Sequence, residues 1–203
     1  MEVNRIFDIL DYRLSVCPDA PVFFFKEEGE WKEVALAFYR EQVDRLSCAL
    51  LAMGMAAGDR AAVISCNSPY WNVLDMALAQ IGCVSVCIAR TLPADDYRYI
   101  LEDCGAEYLF VDGKALLDRI RPDLAQLPNM KSIVAFRDGM GLPSIQSMLD
   151  AADPAEGAGL LAEAKQRVTP DTLFAILYTS GTTGLPKGAM LTHRNFLTTL
   201  SSL

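Results

Sequence analysis

Residues Tyr178–Gly188 read Tyr-Thr-Ser-Gly-Thr-Thr-Gly-Leu-Pro-Lys-Gly, so four Ser/Thr hydroxyls, three glycines and one lysine fall within eleven positions. Glycines allow positive φ and close backbone approach. Consecutive backbone N–H groups in such a loop form an anion-binding concavity. The hydroxyls add donors in little space. Lys187 supplies a compact positive charge suited to terminal phosphates, and Pro186 stiffens the approach to it. The chemistry this composition suits is the wrapping of a polyphosphate. A surface turn rich in small polar residues is the plainer alternative. The string is not a G-x-x-x-x-G-K-[ST] loop, because Pro186 precedes Lys187 and Gly188 follows it. No G-x-G-x-x-G follows a strand, which argues against a dinucleotide fold.

Other chemistry-bearing residues have structural readings. His193 is the only histidine and is expected in the first turn of the last helix, with Thr192 as N-cap, rather than on a ligand. Asn195 is read the same way. Tyr178 is expected half in the core, anchoring the end of its strand. Asp95 and Asp96 follow Pro93 and suit a helix N-terminus. Phe23, Phe24, Phe25 and Trp71 are expected in the core rather than around a ligand. The six cysteines include no CxxC pair, so the pattern points away from zinc and towards buried free thiols in a reducing cytosol. No nucleophile, general base or metal ligand is nominated.

The elements that must carry the loop can be read from periodicity and punctuation. A helix ends before Pro18. Pro21–Lys26 and Trp31–Val34 read as a hairpin. Phe38–Met53 reads as a helix closed at Gly54. Strands at Arg60–Ser65, Cys83–Ile88, Glu107–Val111 and Ser132–Phe136 then alternate with helices at Pro69–Ile81, Ala94–Asp103 and Lys114–Ile120. That alternation predicts an α/β fold with a mainly parallel sheet flanked by helices. A short helix is expected at Ser144–Ala151, within a glycine- and proline-rich flexible linker spanning about 138–160. A second is expected at Leu160–Gln166. Thr172–Tyr178 is strand-like and leads into the loop, Met190–Leu191 suits a return strand, and a helix begins at His193. That helix has no closing cap before Leu203, which predicts a chain cut short.

Composition narrows the rest. A hydrophobic fraction of 52% excludes intrinsic disorder. A net charge of −8 makes nucleic acid a poor partner. No apolar run is long enough for a transmembrane helix, and the first residues do not form a secretory signal.

Tyr178–Gly188, continued by Ala-Met-Leu-Thr-His-Arg-Asn to Asn195, resembles the phosphate-loop signature of the adenylate-forming superfamily of AMP-binding enzymes. That superfamily includes acyl-CoA synthetases, luciferases and peptide-synthetase adenylation domains. The Gly-Thr-Thr-Gly form and the Leu-Thr-His-Arg-Asn tail look most like the acyl-CoA ligases, of long-chain fatty acid–CoA type. Weaker likeness extends over Trp31–Val34, Leu46–Leu50, Gly54–Arg60, Asn67–Trp71, Gln80–Ile88 and Asp103–Val111. Cys87 departs from a common proline, and Ala35–Phe38 departs from a usual Thr/Ser-Tyr pair.

The resemblance implies that the whole chain, 1–203, is the N-terminal portion of the large AMP-binding domain. It implies that Thr179, Ser180, Gly181, Thr182, Thr183, Gly184 and Lys187 hold the β- and γ-phosphates of ATP. The implied reaction joins a small carboxylic acid to coenzyme A through an acyl-adenylate, with Mg²⁺, in the cytoplasm. Relatives are several hundred residues long, and their adenine, ribose and acyl pockets lie after this loop. The 203-residue chain alone is therefore expected to be inactive, and its exposed faces suit association between copies. A stand-alone phosphate- or nucleotide-binding module and a peptide-synthetase-type adenylation fragment are the alternatives. The acyl substrate stays open.

Overall fold

The computed structural model describes residues 2–179 and 184–201, without the Ser201 side chain. Helix α1 (Asp8–Val16) leads to an antiparallel hairpin, β1 (Pro21–Glu27) and β2 (Glu30–Ala35), and then to α2 (Leu36–Ala52). The repeating part follows as β3 (Arg60–Ile64), α3 (Pro69–Gln80), β4 (Val84–Cys87), α4 (Ala94–Asp103), β5 (Tyr108–Val111), α5 (Lys114–Leu124) and β6 (Ser132–Ala135). Helices α6 (Ile145–Ala151) and α7 (Pro154–Arg167) precede β7 (Leu173–Thr179), β8 (Lys187–Thr192) and α8 (His193–Ser201). The main sheet runs β6-β5-β3-β4-β7-β8. All its pairings are parallel except β7–β8, as the strand–helix alternation predicts.

Period-two alternation sends neighbouring residues of each strand to opposite faces. Ala61 and Val63 of β3, with Tyr108 and Phe110 of β5, pack under α2 and α3. Ala62 and Ile64, with Leu109 and Val111, pack under α4 and α5. Local signals agree with this packing. The Ser68 hydroxyl caps α3 by accepting from the Trp71 N–H, and Pro69 opens that helix. Asp95 and Asp96 sit in the first turn of α4, as expected.

The expected linker at 138–160 is instead largely helical. Ser144 and Ser147 form a capping box that starts α6. Asp153 accepts from the Ala155 N–H and starts α7 at Pro154. Gly157 and Gly159 argue for a break by propensity, yet Gly157 is where α7 approaches α2. A Cβ at 157 would fall 2.6 Å from Cβ and from Sγ of Cys48. Two smaller expectations also change. Phe24 is 56% exposed on β1, because alternation turns only Phe23 and Phe25 inward. Cys48, Cys83 and Cys104 are buried, whereas Cys17 and Cys66 are exposed, and all six cysteines are free.

Gly157→Ala should therefore destabilise the chain by about 1–3 kcal/mol in urea unfolding through overpacking. Adding Cys48→Ala, which removes the thiol, should recover part of that loss. An unchanged midpoint for Gly157→Ala would refute the close approach of α7 to α2.

Candidate phosphate-binding site

The loop sits on the one antiparallel turn of the main sheet. β7 lies beside β4 and pairs with it through Ser85↔Ala175, Val86↔Ile176 and Cys87↔Leu177. β8 returns along the other side of β7, with Leu177↔Ala189, Tyr178↔Gly188 and Thr179↔Lys187. The structure thus brings two of the expected site residues, Thr179 and Lys187, face to face at the mouth of the loop. Directly opposed residues have Cβ atoms roughly 4.5–5.5 Å apart. Both are exposed, and among the described residues Lys187 makes no ion pair. Gly184 takes φ +128°, a conformation that L side chains rarely adopt. Ser180, Gly181, Thr182 and Thr183 lie outside the described residues.

The back of this hairpin is packed. Tyr178 is half-buried beside Ile176 against the α4–α5 cluster. Its hydroxyl donates to Asp103 Oδ2 at 2.5 Å. Burial, and then the Asp103 carboxylate, push the phenol above its usual range. Gly188 lies across from this ring. A Cβ there would come within 2.7 Å of Ile176 Cγ2 and 3.1 Å of Tyr178 Cζ. Gly188 therefore serves packing behind the hairpin. The residue types of the motif did not reveal this, because Asp103 is 75 positions away.

His193 has the structural role expected of it. It is 1% exposed. Its ring lies edge-on to Phe7 at 5.9 Å and tilted against Phe174 at 5.3 Å. Nδ1 accepts from the Ile6 N–H at 3.2 Å, and Nε2 has no hydrogen-bond partner among the described residues. Phe174 reaches this ring because it is the extra residue of a bulge, where β7 advances from Leu173 to Ala175 while β8 advances by one. Thr192 Oγ1 accepts from the Asn195 N–H at 3.2 Å, and Asn195 Oδ1 accepts from the Thr192 N–H at 3.0 Å. Both side chains therefore cap α8. Arg194 grips Asp171 through Nε and Nη2 at 2.7 and 2.9 Å.

A second polar group went unnoticed in the sequence. Asp75 on α3 faces Ser85, whose Oγ lies 3.5 Å from Cys87 Sγ. Burial pushes the Asp75 carboxyl up to about 6, against the lowering effect of the Ser85 hydroxyl. Burial, and then Asp75, push the Cys87 thiol up to about 11. Among the described residues no group of three or more His, Cys, Asp or Glu could hold a metal ion.

The fold and this hairpin define an α/β domain with a mainly parallel sheet and an exposed lysine where the loop returns to the sheet. The chain belongs to the AMP-binding enzyme family, whose pattern it matches over residues 10–203. It is 31% identical over 183 residues to the long-chain-fatty-acid–CoA ligase FadD15 of Mycobacterium bovis, covering 89% of this chain and 30% of that protein. It is 34% identical over 155 residues to the fatty acid–[acyl-carrier-protein] ligase ScoC of Streptomyces coeruleorubidus, covering 75% of this chain and 27% of that protein. In shape it resembles the anthranilate CoA ligase AuaEII, solved with anthranoyl-AMP, at a TM-score of 0.80 and 23% identity. That likeness covers 97% of this chain and 36% of the larger one. The chain thus spans about 30% of the length of the ligases it matches.

Two desolvated groups, the buried His193 and the half-buried Asp75, give opposite pH dependences. His193 is lowered from 6.5 to about 4 by burial, and then by Arg5, so the unfolded chain takes up this proton first as pH falls. Its contribution is full above pH 6.5 and is lost towards about 4, a change of about 3 kcal/mol. Asp75 is raised from 3.8 to about 6, so its contribution is full at low pH and is lost as pH rises through that window. The two slopes oppose each other in the wild type. Urea unfolding of His193→Asn, which keeps an acceptor for Ile6, should show stability falling with rising pH across the window. Asp75→Asn should show it rising. Parallel pH profiles for both variants would disprove these assignments.

Proposed function

We propose that the hairpin loop grips the β- and γ-phosphates of ATP in an AMP-forming acid–thiol ligase of the fatty acid–CoA type. The observation that carries this is the pairing of Thr179 with Lys187, both exposed at the loop mouth, with Lys187 free of any ion pair among the described residues. Thr179, Ser180, Gly181, Thr182, Thr183, Gly184 and Lys187 form the grip. The relatives named above, a CoA ligase and an acyl-carrier-protein ligase, support a carboxylate as the group activated and a thiol as its acceptor.

In the first step a carboxylate oxygen attacks the α-phosphorus, and pyrophosphate leaves as the acyl-adenylate forms. In the second, the thiol of coenzyme A attacks the acyl carbon and AMP leaves. Both leaving groups carry negative charge. The loop's contribution is to fix the outgoing pyrophosphate with backbone N–H groups, hydroxyls and one ammonium. Mg²⁺ suits the phosphate oxygens themselves, since the described residues supply no carboxylate cluster for it. None of the grip residues is a nucleophile or a general base. Adenine, ribose and the acid are positioned by other parts of the enzyme, and positioning is worth about 7–11 kcal/mol at best. The chain alone is therefore not a competent ligase. Six free cysteines support a reducing, cytoplasmic setting.

Calorimetry should show pyrophosphate binding that weakens about tenfold, or about 1.4 kcal/mol, in Lys187→Ala. Thr179→Ala should show a smaller loss. ATP–pyrophosphate exchange by the chain alone should be blank. Equal pyrophosphate affinity in wild type and Lys187→Ala would end the phosphate reading, and robust exchange by the chain would end the account of its incompleteness.

A further inference from the structure

The last rungs of the β7–β8 ladder reach beyond the sheet. β7 loses its parallel neighbour after Cys87↔Leu177, so among the described residues 178–179 and 187–188 have only each other as strand partners. A two-stranded tip is marginal by itself and twists freely. Something else must set the direction in which Thr179 and Lys187 point.

We propose that Tyr178 is a positioning residue for the phosphate grip, bracing the hairpin tip from behind. The proposal rests on the phosphate-binding reading of the loop. Side chains alternate across the tip, so Tyr178 faces back while its neighbour Thr179 and the opposed Lys187 face forward. The ring packs beside Gly188, where a Cβ would meet Tyr178 Cζ at 3.1 Å and Ile176 Cγ2 at 2.7 Å. The hydroxyl donates to Asp103, the last residue of α4. One side chain thereby links the strand before the loop, the strand after it and a helix on the back of the sheet. Gly188 is the complement of the ring, and Asp103 anchors it.

The brace is tested in the absence and presence of pyrophosphate. Without ligand, hydrogen exchange of the amides at 178–179 and 187–188 should speed up about tenfold in Tyr178→Ala, with β3 and β4 unchanged. Tyr178→Phe keeps the ring but not the hydrogen bond and should weaken pyrophosphate binding by roughly three- to tenfold. Asp103→Asn retains an acceptor and should bind nearly as the wild type does. Because Tyr178 acts through the grip, the loss in Tyr178→Ala with Lys187→Ala should be smaller than the sum of the two single losses. Wild-type exchange at the tip in Tyr178→Ala overturns the proposal, as do fully additive losses in the double variant. Faster exchange at the tip with no effect of Lys187→Ala leaves the brace standing and removes the phosphate reading instead.

Discussion

An antiparallel return at the border of a parallel sheet is the constraint on which the site depends. Parallel neighbours need a crossover, and every earlier strand of the main sheet has one. After β7 the chain turns straight back as β8. The two ends of the loop are thereby held one strand spacing apart, roughly 4.7–4.9 Å. A loop with its ends fixed in this way has already lost most of its closure entropy.

The position of the hairpin also separates this site from the one that topology alone would favour. In open α/β sheets ligands tend to bind where successive connections leave in opposite directions. Here that place lies between β3, which leads towards β4, and β5, which leads towards β6. The crevice is bridged by Arg90, which contacts Cys66 and donates through Nη2 to the Asp112 carbonyl at 3.4 Å. The loop motif stands two strands along, after β7. Sheet order locates a general opportunity, and residue chemistry decides where it is used.

Legibility in the sequence followed the range of the interactions. Elements written by local periodicity and caps were readable, and Ala94–Asp103 has the same limits in sequence and structure. The segment around Gly157 reads as a linker because glycine's local preference opposes a helix, while the contact that requires glycine is with Cys48, 109 positions earlier. β8 begins at Lys187 rather than Met190 because pairing with β7 overrides the loop-like look of Lys187-Gly188. The loop itself was conspicuous as a string of residue types. Its brace was invisible, since Tyr178, Gly188 and Asp103 meet only once the sheet and α4 are assembled.

Charge distribution bears on the proposed phosphate grip. The chain carries 26 acidic residues against 18 Lys and Arg, so a cation is readily neutralised by the chain itself. Lys32 is held by Glu27, Lys114 by Asp118, and Lys131 by both Asp59 and Glu107. Lys165 stands 4.0 Å from Asp11. An ammonium already paired in this way offers an incoming phosphate only an exchange of partners, with little net gain. Lys187 lies on an exposed rung with Thr179 opposite and no carboxylate within ion-pair range among the described residues. Lys26 is also exposed and outside every ion pair among the described residues, so it is the place of Lys187 at the end of a glycine- and hydroxyl-rich loop, and not its freedom alone, that suits an anion.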